Sequence, residues 1–169
     1  MTLTSVGDVG EYVGRSYRLS PSPHQAARMT TWAHTRRAIH NLAIEHRQLA
    51  WSRARAQVTY REQCHELAEL RSCVEWVAEP PAHLLQQALR DVDRAHQNWW
   101  QGRARKPAFE RRGQLRFRPS ASDLQIRHLN RKWSEVRLPK LGWVRFRRSR
   151  SLDGELASAT FRCSVACGR

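Results

Sequence analysis

Asp91 and Asp93 are the carboxylates closest to a pair of the kind that metal-assisted or general acid–base chemistry uses. On a helix their i, i+2 spacing points them to different faces, so they do not build a two-metal nuclease site and read as solvated helix residues. His34, His40 and His46 recur at six-residue steps. Each such step turns a helix by about 120°, which rules out one shared metal-binding face and leaves packed or solvated histidines. Cys64, Cys73, Cys163 and Cys167 lack the two-residue gap of a zinc knuckle, so free, packed thiols in a reducing cytoplasm are expected. There is no glycine-rich phosphate loop and no nucleophile elbow. The residues point to no enzyme chemistry, no metal and no other cofactor.

What the residue types do suit is a polyanion. Thirty Lys plus Arg stand against fifteen Asp plus Glu, a formal charge of +15. Only Lys106, Lys132 and Lys140 are lysines, and arginine can both fork onto phosphate oxygens and stack on bases. A GC-rich genome also favours arginine over lysine, but it leaves the net charge unexplained. Phe109, Phe117, Trp143 and Phe146 each have an arginine within two positions; cations neutralise phosphate while rings stack on unpaired bases. All these rings except Trp143 are expected in the core, and the cations at phosphates. The candidate contacts are Arg103, Arg105, Lys106, Arg111, Arg112, Arg116, Arg118, Lys140, Arg145 and Arg147. A membrane is the competing polyanion, but no apolar run approaches the roughly 20 residues of a span. The first residues, MTLTSVGDVGEYVG, have neither the basic start nor the apolar stretch of a secretory signal.

The elements that must carry these residues are legible from periodicity. At 169 residues the chain suits one or two compact units. Ser16–Leu19 reads as a short strand. Ser22 followed by Pro23 is a helix start, a hydroxyl N-cap with proline at the first turn. Met29, Trp32, Ala33, Ile39, Leu42, Ala43, Leu49 and Ala50 then predict one long amphipathic helix. A second runs from about Tyr60 through Cys64, Leu67, Leu70, Val74 and Val77 until Pro80-Pro81 stops it. A third carries Leu84, Leu85, Ala88, Leu89, Val92, Ala95, Trp99 and Trp100, with Gly102 as its stop. Residues 103–113 form a basic loop without helical period. Alternation around Leu115 and Phe117, Leu124 and Ile126, Val136 and Leu138, and Val144 and Phe146 predicts strands. Their period of two places Arg116 with Arg118, and Arg145 with Arg147, opposite the apolar side chains. The fold class is α+β, a three-helix unit beside a small sheet.

Four ordered segments carry a resemblance to a known family. They are Tyr17-Arg18-Leu19-Ser20-Pro21 with Gln25; Arg37-Ala38-Ile39-His40-Asn41-Leu42-Ala43; Trp76-Val77-Ala78-Glu79-Pro80-Pro81 leading into Leu85-Gln86-Gln87-Ala88-Leu89-Arg90-Asp91-Val92-Asp93-Arg94-Ala95; and Arg137-Leu138-Pro139-Lys140-Leu141-Gly142-Trp143-Val144. From about residue 15 to 160 the chain resembles the N-terminal part of OrfB/TnpB proteins, transposon-encoded RNA-guided nucleases. The resemblance implies a helical recognition domain inserted into a small β-barrel, complete or incomplete: residues 1–22 its first strand region, 23–102 the helical domain, 103–113 the basic loop and 114–169 the remaining strands. It further implies that such domains hold structured guide RNA and read a short flanking motif in duplex DNA, while guide pairing reads the target. Tyr60, Gln86 and Ser120 match the positions that face the flanking DNA.

The chain departs from that pattern in places. Trp99-Trp100 replaces a Phe-Phe pair, and Lys106-Pro107-Ala108-Phe109-Glu110-Arg111 replaces a Gly-Tyr-Pro-Arg-Phe-Lys type segment. After Thr160-Phe161-Arg162 the sequence runs Cys163-Ser164-Val165-Ala166-Cys167-Gly168-Arg169, with no nuclease aspartates and no CxxC pairs. The expectation is a truncated protein that binds DNA and structured RNA, takes no small-molecule substrate and does not cut. A stand-alone DNA-binding regulator of a mobile element, or a non-functional remnant, is the alternative.

Overall fold

A computed structural model describes residues 2–6, 12–118, 124–149 and 155–164. Among them are strands β1 (Thr2–Val6), β2 (Tyr12–Ser16) and β3 (Leu19–Ser20), helices α1 (Pro23–Ala54), α2 (Tyr60–Cys73), α3 (Glu75–Ala78) and α4 (Ala82–Trp100), then β4 (Gln114–Phe117), β5 (Ile126–His128), β6 (Trp133–Leu138), β7 (Gly142–Arg147) and β8 (Glu155–Ser164). The fold is α+β. The chain divides into two compact units, one built from residues up to Thr31 and from Leu115 to Cys163, the other from Trp32 to Gln114.

The first unit holds two four-stranded sheets, in the orders β2-β1-β8-β4 and β3-β7-β6-β5. Instead of one strand over Ser16–Leu19, β2 and β3 flank Tyr17, which is 4% exposed and packs edge-on against Phe146 with ring centroids 5.4 Å apart. Leu124, expected in a strand, precedes β5 instead. In the second sheet β6 and β7 form an antiparallel hairpin with Val136 opposite Val144 and Leu138 opposite Gly142. Val136, Leu138, Val144 and Phe146 are buried, while Arg137, Arg145 and Arg147 alternate onto the exposed side, as the two-residue period requires.

The hairpin turn and the start of α1 are locked together. The Leu141 amide donates to the Leu138 carbonyl, and Lys140 has a φ of 61°, where a type II turn needs a left-handed residue. Ser22 and Gln25 form a reciprocal capping box: the Ser22 hydroxyl accepts from the Gln25 amide at 3.2 Å and the Gln25 Oε1 accepts from the Ser22 amide at 2.9 Å. Gln25 Nε2 then donates to the carbonyls of Leu141 at 3.1 Å and Trp143 at 2.9 Å. Arg28 Nη1 donates to the Lys140 carbonyl at 2.6 Å. Gln25 thus caps the helix and pins the turn with one side chain.

In the second unit α1 buries Trp32, Ala33, Arg36, Ile39, Ala43, Ile44 and Arg47, a three- and four-residue rhythm with arginines in two of the apolar places. Leu42 and Leu49, expected on that stripe, are 50% and 43% exposed. The stripe turns away from them because Arg36 and Arg47 take buried positions against acidic partners on α4. α2 opens on a capping box in which Thr59 and Glu62 exchange hydrogen bonds of 2.7 and 3.3 Å. It does not run on to Val77: Val74 is extended, with φ −123° and ψ 107°, and α3 follows as a separate turn. Arg71 holds this corner by donating to the carbonyls of Val77, Ala78 and Pro80 at 2.7, 3.1 and 3.1 Å. On α4, Leu84, Leu85, Ala88, Leu89 and Val92 are buried, but Trp99 and Trp100 are 37% and 56% exposed and leave the predicted stripe. The helix stops at Gly102, φ 69°, in a Schellman arrangement: Arg103 N–H to Asn98 carbonyl, 2.8 Å, and Gly102 N–H to Trp99 carbonyl, 2.9 Å. Cys64 and Cys73 carry free thiols; Cys167 and the Cys163 side chain lie outside the described residues.

Candidate nucleic-acid interface

α4 buries one side and exposes Gln86, Arg90, Arg94 and Gln97 on the other. Gln86 and Arg90 are four residues apart and therefore neighbours on the helix surface. The Arg90 guanidinium lies 5.6 Å from the Tyr60 ring centre, and its Nη2 reaches the Tyr60 hydroxyl at 3.4 Å. Arg90 accordingly joins Tyr60 to Gln86 in one surface, although it was absent from the sequence-derived candidates. Its i+4 relation to Gln86 is the signal that could have found it. Burial and then a hydrogen bond with Cys64 raise the Tyr60 pKa above that of a free phenol, so this surface presents a protonated hydroxyl beside a guanidinium.

Asp91 and Asp93 lie on the same helix, but they are not solvated. Asp91 accepts from Arg36 Nη2 at 3.2 Å and Gln87 Nε2 at 3.1 Å; Asp93 accepts from Arg47 Nη2 at 2.9 Å and Gln97 Nε2 at 2.7 Å. The two arginine side chains are 5% exposed. Buried guanidiniums need counter-charges, and these aspartates supply them.

The basic loop, expected to have no regular element, is fastened to α1. Arg36 Nη1 donates to both Glu110 carboxylate oxygens, at 3.0 and 2.8 Å. Asn41 exchanges hydrogen bonds with the Glu110 backbone at 3.1 and 2.8 Å, and Arg37 Nη1 donates to the Arg111 carbonyl at 2.9 Å. Gly113 seals the end, since a Cβ there would lie 3.3 Å from the Ala33 carbonyl oxygen. His40 Nε2 stands 3.6 Å from Glu110, but burial lowers its pKa more than Glu110 raises it, so the contact is not ionic at neutral pH. Held this way, Arg103, Arg105, Lys106, Arg111 and Arg112 all stay exposed. Phe109, expected in the core, is 53% exposed: Glu110 takes the inward position through its side chain and leaves the ring outside.

In the sheet unit, Arg116, Arg118, Lys140, Arg145 and Arg147 are all exposed. Arg145 is partly engaged, donating from Nε to Glu135 at 3.1 Å. Arg127 Nε donates to the other Glu135 oxygen at 2.7 Å, and its guanidinium lies 4.4 Å from the Trp143 ring centre. Burial pushes the Glu135 carboxyl up, and the Arg127 and Arg145 hydrogen bonds more than reverse it, leaving the pKa below the usual carboxylate range. Phe146 is fully buried, as expected. Trp143 is half-buried. Ser120 and the Phe117 side chain lie outside the described residues.

No family model matches the chain. "Putative RNA-guided DNA endonuclease InsQ" of Escherichia coli (strain K12) is 30% identical over 155 residues, covering 90% of this chain and 37% of that relative. A "Putative RNA-guided DNA endonuclease" of Streptomyces pristinaespiralis is 30% identical over 102 residues, 59% of this chain and 25% of its own length. The chain thus spans little more than a third of the first relative and a quarter of the second.

Proposed function

The chain is TnpB-like, related along nine-tenths of its length to a protein named as an RNA-guided DNA endonuclease, and from that premise we propose that these residues bind structured RNA and a short flanking motif in duplex DNA without cutting either. The observation that carries this reading is the exposed face of α4, where Gln86 and Arg90 lie one turn apart and Arg90 rests on Tyr60. A glutamine amide can pair with a base edge, and an arginine beside it can contact an edge or a phosphate. The exposed arginines of the basic loop supply sequence-independent attraction for nucleic acid. Absence of cutting is supported by the engagement of Asp91 and Asp93 with Arg36 and Arg47, which gives those carboxylates a structural task.

Selection of bound duplexes from a randomised pool, with and without RNA, tests the reading. A short enriched motif that requires RNA and disappears in Gln86→Ala is the expected result. Enrichment of one duplex sequence without RNA would mark a stand-alone regulator instead. Cleavage of DNA by the 169-residue chain with guide RNA and magnesium would refute the non-cutting part.

A further inference from the structure

In the helical unit, the end of α1, the following loop, the end of α4 and the basic loop enclose a groove of about 860 Å³. Trp51, Trp99, Trp100 and Phe109 line it and are 49%, 37%, 56% and 53% exposed. Four large rings left half in water on one concave surface form an apolar patch of the kind that marks a binding site. The flanking-DNA reading does not use them, since Tyr60, Gln86 and Arg90 do not line this groove.

The rings come with cations. Lys106 Nζ lies 5.9 Å from the Trp99 ring centre, and the Arg55 guanidinium 5.6 Å from that of Trp51. Arg47, also a lining residue, is 6% exposed, and its Nη1 has no hydrogen-bond partner although Nε and Nη2 bond to Gln63 and Asp93. A buried donor without an acceptor is costly unless a ligand supplies one. Asp93 already balances the Arg47 charge, so a neutral oxygen or nitrogen acceptor suits that nitrogen better than a second anion.

We propose that this groove receives unpaired nucleobases of a single-stranded segment, stacked on the tryptophan and phenylalanine rings, with Lys106 and the loop arginines at the flanking phosphates. Exposed ring faces alternating with cations match the alternation of bases and phosphates along an unpaired strand. Bases in a duplex are already stacked on each other and cannot use these rings. A protein helix would match the apolar area but leave Lys106, Arg103 and Arg105 without complementary charge. The inference rests on the nucleic-acid reading above and adds a second site to it.

The test compares binding of the full chain to four labelled probes of equal length: single-stranded RNA, single-stranded DNA, an abasic strand with the same phosphates, and a duplex. Base-bearing strands should bind roughly tenfold or more tighter than the abasic strand, with quenching of tryptophan fluorescence. Preference between the RNA and DNA strands identifies which nucleic acid supplies the bases. Trp100→Ala should weaken single-strand binding by about fivefold or more, leave duplex binding unchanged, and be largely rescued by Trp100→Phe; circular dichroism checks that the variant is folded. Equal affinity for abasic and base-bearing strands overturns the proposal. So does a concentration-dependent dimer, seen by light scattering without nucleic acid, that Trp100→Ala dissolves. If duplex binding persists and depends on Gln86 while the abasic strand binds as well as the others, only the groove is refuted; if no probe binds, the nucleic-acid reading fails as a whole.

Discussion

Gln25→Glu is a sharp probe of the sheet unit because it changes two hydrogen-bond donors and almost nothing else. The variant is nearly isosteric and keeps the oxygen that accepts from the Ser22 amide, so the capping box can survive. It loses the Nε2 donations to Leu141 and Trp143 at 3.1 and 2.9 Å. Each lost bond removes about 1 kcal/mol, and a carboxylate facing two carbonyl oxygens adds roughly 1 to 2 kcal/mol. An acidic group in the first helical turn returns about 0.5 kcal/mol through the helix dipole. The net expectation is a loss of about 3 kcal/mol at pH 7. Urea unfolding followed by tryptophan fluorescence measures it, with Trp143 close to the change. The carbonyls raise the new carboxyl's folded pKa above its unfolded one, so the protonated form is the stabilising one: part of the lost stability is recovered on acidification, and that recovery is lost again as pH rises through the folded pKa. A variant within 0.5 kcal/mol of the parent, or one insensitive to acid, would refute the clamp.

Other expectations follow from the helical unit. Gly102→Ala should destabilise by about 1 kcal/mol through the left-handed backbone alone, because no atom lies within 4 Å of the added Cβ; a neutral result in urea would contradict the Schellman assignment. Glu110→Gln should loosen the basic loop and speed tryptic cleavage between residues 103 and 112 several-fold, whereas an unchanged rate would show that Asn41 and Arg37 suffice. Burial lowers the pKa of His40, and burial likewise lowers that of His96 despite its bond to the Val92 carbonyl. Both are therefore neutral in the fold, so stability present above pH 6.5, their unfolded value, is lost as pH falls below it. Urea midpoints at pH 7 and pH 5 check this; a His40→Asn variant should show a smaller drop.

The α+β class was legible because apolar periodicity changes from 3.6 to 2 near Gly113, and the Ser22-Pro23 start and Gly102 stop of helices are local signals that need no tertiary context. The break at Val74 was not, since a valine between two helical runs carries no stop signal and the corner is held by Arg71 reaching forward to three carbonyls. Arg36 and Arg47 occupy buried places that a hydrophobic pattern assigns to water, and their partners Asp91 and Asp93 are far away in sequence. The same long-range pairing explains why the aspartates read as solvated and why Glu110 displaces Phe109 to the surface. At the candidate interface, the motif match picked out Gln86 and Tyr60; Arg90 carried only its four-residue spacing from Gln86 as a signal, and its place on the Tyr60 ring joins it to them.

Salt dependence of binding tests the central claim most directly. Titration of the full chain against structured RNA and duplex DNA between about 50 and 200 mM salt should show affinity falling at least tenfold, as released counterions require when several phosphates are neutralised. Arg90→Ala, if Arg90 contacts a phosphate, should reduce the logarithmic slope for DNA by about 1. Binding that is flat across this range, or no binding at its lower end, would contradict the assignment of these residues to nucleic acid.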